Sequence, residues 1–274
     1  DMANNKLAII GGSGLYDVEE FKERELLELK TPWGKPSDEI FLAKLADEEI
    51  CFIPRHSRGH KINPTNINIC GDFSSASFFI LAALITPNSE LLLRNVGVNP
   101  TRIGFLHALR HMGANIELQN EIDSFEPTAD ILVRTSHLKG ITLNTNLVAN
   151  MIDEMPAFFI AAALAEGTTK VKDAKELRTK ESDRLQVMSE ALDSFGVKFR
   201  LEDDGIIING LGKTGSFKAA EINSYGDHRI AMASSIGALR SDGETSILDC
   251  FNINTSFPNF IDVCKEIGIN IEKV

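Results

Sequence analysis

Lys180-Glu181-Ser182-Asp183-Arg184 packs two cations, two acids and a hydroxyl into five residues, at what reads as a helix start. Ser182 is placed to cap a helix over residues 183–195, with Asp183 in its first turn. The preceding loop, residues 175–181, then carries Arg178, Lys180 and Glu181 at a helix N-terminus, where free N–H groups and the dipole attract anions. Cations there suit a phosphate or carboxylate, and a glutamate among them has neighbours able to tune its proton affinity. The same residues equally describe a capped surface helix with solvated charges.

Ser224-Tyr225-Gly226-Asp227-His228-Arg229 also precedes an apolar helix. Gly226 allows close backbone approach to a ligand. His228 and Arg229 could hold an anion, and Asp227 could orient the histidine or simply cap the helix. Asp153-Glu154 occupies the matching place before another apolar helix, where acids and Pro156 are already explained by helix physics. Asn99-Pro100-Thr101-Arg102 reads as a helix start or an anion contact. His107 and His111 stand at i, i+4, but no third ligand accompanies them, so a solvated helix face is expected and no metal is assigned. Near the start, Gly11-Gly12-Ser13-Gly14 follows a short strand and forms a phosphate-loop candidate. Arg55-His56 and Arg58-Gly59-His60, after a later strand, could supply the positive charge.

These clusters need elements to position them. Residues 6–10, 39–45 and 49–54 read as strands, with a charged stretch over 19–30 and a turn-rich one over 31–37. After Asn66 the pattern changes, and a boundary is expected between residues 1–65 and 66–274. From there a unit recurs three times. Each copy has a small-residue apolar helix (residues 74–85, 155–165 and 230–238), then a strand (90–96, 169–173 and 245–249). An amphipathic helix closing on Gly113, Gly196 or Gly268 follows, leading into a second strand (114–118, 197–201 and 269–274). A further strand is expected at 130–135 and at 206–209. Three such α/β units cannot each close a core alone, so their apolar helices should pack together.

The 274 residues carry 28 Lys and Arg against 39 Asp and Glu, a net charge of -11. That excludes a broad nucleic-acid surface, and anionic metabolites could be bound only by cations gathered in one cleft. The apolar runs are too short to span a bilayer, and no basic segment followed by an apolar one opens the sequence, so no membrane is expected as a partner. Cys51, Cys70, Cys250 and Cys264 are widely spaced. Reduced, buried thiols in a cytoplasmic protein are the expectation.

Residues from about 66 to 274 resemble the C-terminal domain of the enolpyruvylshikimate-phosphate (EPSP) synthases, the 3-phosphoshikimate 1-carboxyvinyltransferases. The phrases that carry the likeness are Gly71-Asp72-Phe73-Ser74-Ser75-Ala76-Ser77, Asn95 through Arg102, Lys180 through Arg184, Asp227-His228-Arg229 and Ser256-Phe257-Pro258. The resemblance implies an α/β fold, an inverted barrel (β-prism) of three βαβαββ-type units. It implies transfer of the enolpyruvyl group of phosphoenolpyruvate to shikimate 3-phosphate, in the chorismate and aromatic amino acid route, with no cofactor. It makes Asp153 the base for the attacking hydroxyl and gives Glu181 the proton at the alkene carbon. Lys180, Arg184 and Arg229 would hold phosphoenolpyruvate with His228 beside them. Glu176 stands where other branches carry Asn, and Thr255 where some carry Lys. In that family a second domain supplies most shikimate-phosphate contacts. The chain is therefore expected to show little or no activity alone, with a separate chain as the source of that half.

Residues from about 6 to 62 resemble instead the start of a methylthioadenosine phosphorylase. The phrases are Ile10 through Leu15, Thr31 through Asp38 and Pro54 through His60. This implies phosphate binding by Ser13, Arg55 and His56, and a chimeric sequence with a join near residues 61–69. A phosphorylase fragment that binds phosphate, or a non-catalytic β-prism domain, are the alternative functions.

Overall fold

The computed structural model describes residues 7–12, 15–16, 18–29, 36, 38–46, 48–56 and 68–273. The turn-rich stretch 31–35, Ser37, the Arg58-Gly59-His60 phrase and most of the join lie outside the described residues. The chain divides into two compact units, Asp1–Asn68 and Ile69–Val274.

The first unit is a four-stranded sheet built from β1 (Leu7–Gly11), β2 (Lys22–Leu27), β3 (Ile40–Leu45) and β4 (Glu48–Pro54). Its order is β1-β4-β3-β2. β3 and β4 form an antiparallel hairpin, while β1 runs parallel to β4. Tyr16, Phe21, Phe41, Ala43, Ile50 and Phe52 form its small core. Within the charged stretch, Lys22–Leu27 forms the exposed edge strand β2, whose charged side chains discourage further pairing.

The second unit contains α1 (Phe73–Ile85), β5 (Glu90–Gly97), α2 (Gly104–His111), β6 (Asn115–Ile122) and β7 (Thr128–Arg134) as its first repeat. The second repeat is α3 (Met155–Leu164), β8 (Thr168–Val171), α4 (Arg184–Ser194), β9 (Lys198–Glu202) and β10 (Gly205–Asn209). The third is β11 (Glu221–Asn223), α5 (His228–Gly237), β12 (Ser246–Leu248), α6 (Ile253–Ser256) and α7 (Phe260–Glu266). Each repeat opens with a parallel pairing: Gly71 with Val96, Thr142 with Lys170, and β11 with β12. The first two repeats each add an antiparallel sheet, β5-β7-β6 and β8-β10-β9.

α1, α3 and α5 pack on one another as well as on their own strands. Every residue of α3 is buried, as an apolar helix surrounded on all sides must be. Phe158, Phe159, Ile80 and Ile230 lie in this shared core. The amphipathic helices end alike. Gly113, Gly196 and Gly268 each take a left-handed φ, of 91°, 77° and 86°. The following N–H groups of Ala114, Val197 and Ile269 return to Leu109, Leu192 and Cys264 carbonyls at 3.0, 2.9 and 2.9 Å. That is the same Schellman closure three times.

The expected strand over 269–274 is not formed. β6 and β9 are held by hairpin partners β7 and β10, and residues 269–273 meet no such partner among the described residues. Of the cysteines only Cys264 is fully buried; the other three are half-buried thiols. No described helix is long and apolar enough to cross a membrane.

Candidate functional site

The N-terminal ends of α1, α3, α4 and α5 converge. Asp72 caps α1, accepting from the Ser75 N–H at 2.7 Å. Asp227 caps α5, accepting from the Arg229 and Ile230 N–H groups at 3.0 and 3.4 Å. Asp153 and Glu154 close a 3₁₀ turn that runs straight into α3. The cap of α4 is Asp183, which accepts from the Gln186 N–H at 3.0 Å. This corrects the assignment of Ser182 as that cap. Ser182 Oγ instead donates to Asp227 Oδ2 at 3.0 Å, tying two helix starts together.

Arg184 is the hub. Its side chain is 1% exposed, and Nε donates to the wholly buried Asp227 at 2.8 Å. Nη2 donates to Glu181 Oε2 at 2.5 Å. Nη1 has no hydrogen-bond partner and lies 3.5 Å from Asp153 Oδ1. Two more guanidiniums approach the same aspartate: Arg102 Nη1 and Arg229 Nη2 each stand 3.7 Å from Asp153 Oδ2. Arg229 Nη1 also donates to the Asp153 backbone carbonyl at 3.3 Å. Three cations from three elements thus ring one partly exposed carboxylate.

Glu154 sits behind it. Its side chain is 1% exposed, accepts a short hydrogen bond from Ser74 Oγ, and has Arg102 Nη2 at 3.6 Å and Arg229 Nη1 at 4.0 Å. Burial pushes its carboxyl above the ordinary range, against the Ser74 hydrogen bond and the two arginines. Burial acts on Asp227 in the same sense, but hydrogen bonds and charge from Arg184, with the Arg229 N–H and Ser182, outweigh it and hold this carboxyl low. His228 is pushed down, first by burial and then by the Arg229 charge, with Asp227 and Glu181 opposing.

The structure therefore gathers Asp153, Glu181, Arg184 and Arg229 into one network, with His228 on its rim. Lys180 and Glu176 pair with each other instead, at 2.5 Å, on the loop ahead of α4. Arg178 braces that loop, donating to Asp183 and to the carbonyls of Asp203 and Glu202. Thr255 is exposed on α6. His107 and His111 join no cluster of metal-ligating side chains among the described residues. Arg102 had a sequence signal only as an open alternative. Arg102 and Ser74 also lie in phrases that carry the family resemblance, but nothing in the sequence assigned either to the acids, and the burial of Glu154 had no signal, because all three depend on contacts between repeats.

In the first unit, the parallel register pairs Gly11 with Pro54. The Arg55 N–H donates to the Gly11 carbonyl at 2.9 Å. A Cβ built on Gly12 would lie 3.5 Å from His56 Nε2 and 3.6 Å from Arg55 Nη2. Tyr16 donates a short hydrogen bond to the His56 carbonyl. Ser13 lies outside the described residues.

Residues 55–264 match the family model described as EPSP synthase (3-phosphoshikimate 1-carboxyvinyltransferase). A 3-phosphoshikimate 1-carboxyvinyltransferase of Coxiella burnetii is 46% identical over 219 residues, which is 80% of this chain and 49% of that protein. The protein of that name from Methylococcus capsulatus is 46% identical over 78% of this chain and 48% of its own length. An EPSP synthase structure from Acinetobacter baumannii superposes with a TM-score of 0.75 at 43% identity, covering 84% of this chain and 52% of that one. The enolpyruvyl transferase NikO from Streptomyces tendae shares the fold, with a TM-score of 0.60 at 14% identity over 91% of this chain and 51% of its own. The chain spans about half the length of the relatives it matches.

Proposed function

The chain belongs to the EPSP synthase family, and from that premise we propose that its site handles phosphoenolpyruvate during enolpyruvyl transfer to shikimate 3-phosphate. The observation that carries the reading is the ring of Arg102, Arg184 and Arg229 around Asp153, with Glu181 on the far side of Arg184. Arg184 Nη1, buried 3.5 Å from Asp153 Oδ1 and without a hydrogen bond, is a donor with bonding capacity left for a carboxylate or phosphate. In the reaction the terminal alkene carbon gains a proton, the acceptor hydroxyl loses its proton and attacks the neighbouring cationic carbon, and phosphate then leaves the tetrahedral intermediate as the new methyl group gives up a proton, which restores the alkene. Glu181, about half exposed and next to a fixed cation, handles the carbon proton. Asp153, exposed enough to meet substrate, takes the hydroxyl proton. Arg184 and Arg229 stabilise negative charge on the substrate, with His228 beside them. Lys180 reaches the phosphate once released from Glu176.

Residues 69–274 provide the phosphoenolpyruvate side of such a site. Turnover needs the shikimate-phosphate contacts of a second domain, the half of the relatives' length that this sequence does not span, and the setting is cytoplasmic. The test is phosphate release from phosphoenolpyruvate and shikimate 3-phosphate, by the chain alone and with the missing half of a relative added as a separate polypeptide. No release alone, and release with the half added that is lost in E181Q and D153N, is the expected pattern. Turnover by the chain alone would overturn the requirement for a second half. Absence of phosphate release even with the half added, or absence of phosphoenolpyruvate binding, would overturn the reading.

For the first unit we propose a phosphorylase-derived phosphate contact. Gly12 packed beside Arg55 and His56 favours it. Loss of inorganic phosphate binding in R55A, against an unchanged second unit, is the expected result; no binding by the parent would overturn it.

A further inference from the structure

Asp153 and Glu154 are adjacent acids that share two arginines yet sit in opposite surroundings. Asp153 is 25% exposed and Glu154 only 1%. Among the groups that face Glu154, Ser74 comes from α1, Arg102 from the segment after β5, Arg229 from α5, and Asp153 from its own turn. Both arginines and the Ser74 hydroxyl approach one oxygen, Oε1, which is the arrangement of a carboxylate. Oε2 is buried without any hydrogen-bond partner. The countercharges are not captive. Arg102 is 46% exposed, and neither guanidinium reaches hydrogen-bond distance of the carboxylate. Arg102 instead donates to Ser74 Oγ at 3.0 Å, so any movement of Arg102 is felt at Glu154 through that hydroxyl.

We propose that Glu154 is the proton partner of anion binding: when an anion draws Arg102 and Arg229 to itself, Glu154, left buried without its countercharges, takes up a proton. The physical reason is that an uncompensated buried carboxylate is far costlier than a buried carboxylic acid. A bound anion competes for the same two cations, so anion and proton bind cooperatively. The upward push that burial exerts on this carboxyl supports the same conclusion. Glu154 is on this view a positioning residue, acting through the arginines and touching no substrate. The inference rests on the anion-binding part of the proposed function but needs no turnover, so the two can fail separately.

Isothermal titration of the full chain with inorganic sulfate tests it, since sulfate carries no titrating proton near neutral pH. Measurements in two buffers of different ionisation enthalpy give the protons taken up per sulfate bound. Net uptake, at most about one proton, is expected. E154Q should bind sulfate with that uptake lost. H228N, whatever it does to affinity, should keep the protons taken up per sulfate that binds, which separates Glu154 from the other titrating group at the rim. S74A removes the hydrogen bond that favours the ionised form, so its uptake should move to higher pH; this variant keeps the proposal testable if E154Q does not fold. No sulfate binding, no uptake by the parent, unchanged uptake in E154Q, or loss of uptake in H228N would each overturn the proposal. Sulfate-linked uptake without any phosphate release in the complemented assay would leave the inference standing and sink the transferase reading.

Discussion

Arg184 is buried with its charge answered by Asp227 and Glu181, and the two partners are not equivalent. Asp227 is wholly buried, so D227N would strand a guanidinium in the interior. We expect a loss of about 3–5 kcal/mol in stability, measured by urea unfolding. E181Q keeps Asp227 in place and should cost less than about 1 kcal/mol while abolishing turnover in the complemented assay. The two buried acids should titrate with opposite signs. Asp227 is held low in the fold, so its contribution is present above the ordinary aspartate range of about pH 3.9 and is lost as pH falls through its folded value. Glu154 is raised, so the unfolded chain ionises first, and stability is lost as pH rises from about 4.3 to the folded value. The stability of E154Q relative to the parent should therefore increase with pH across that window. A difference that stays flat or falls with pH would contradict this.

Among the elements, a demanding constraint falls inside the second repeat, where two of its strands pair. Gly205 opens β10 against β8, and a Cβ there would come 2.0 Å from the Val171 carbonyl oxygen. G205A must push two paired strands apart, and a loss of at least about 2 kcal/mol is expected by thermal unfolding. G167A meets nothing within 4 Å, but its φ of 90° is poor for alanine; a cost near 1 kcal/mol is expected there. Phe158, fully buried on α3, should cost about 3–5 kcal/mol as F158A, the loss expected for a cavity where the core helices meet. The N-terminal ends of those helices carry the site, so packing and chemistry share the same elements. A core variant should therefore also loosen the arginine ring.

For the molecule as a whole, the two units keep separate cores: the cluster of Phe41 and Phe52 and the cluster around α3 have no member in common. Two unfolding transitions are expected by scanning calorimetry. The larger transition should persist in a chain trimmed to residues 69–274; its disappearance would show that the units depend on each other. A net charge of -11 makes long-range attraction of anionic substrates weak. An anion bound as proposed would be held by the local ring of arginines, whose buried member is screened little by salt.

Much of this protein was legible in its sequence because the signals are local. Helix periodicity, the closing glycines at 113, 196 and 268, and acids and hydroxyls at helix starts all act within a few residues. The three repeats and their apolar helices followed from them, while the roles expected of Asp153, Glu181, Arg184 and Arg229 came from the family resemblance, the local signals alone describing capped helix starts equally well. The strand expected at 269–274 did not form, since pairing needs a partner that composition cannot show. Ser182 as a cap failed for the same kind of reason: Asp183, next to it, caps the helix, which frees Ser182 for a buried aspartate 45 residues away. Tertiary packing alone decided that Glu154 is buried while Asp153 stays accessible, and that Ser74 and Arg102 join them. Which of two adjacent acids loses water depends on which way α3 turns into the core, and only the assembled repeats determine that.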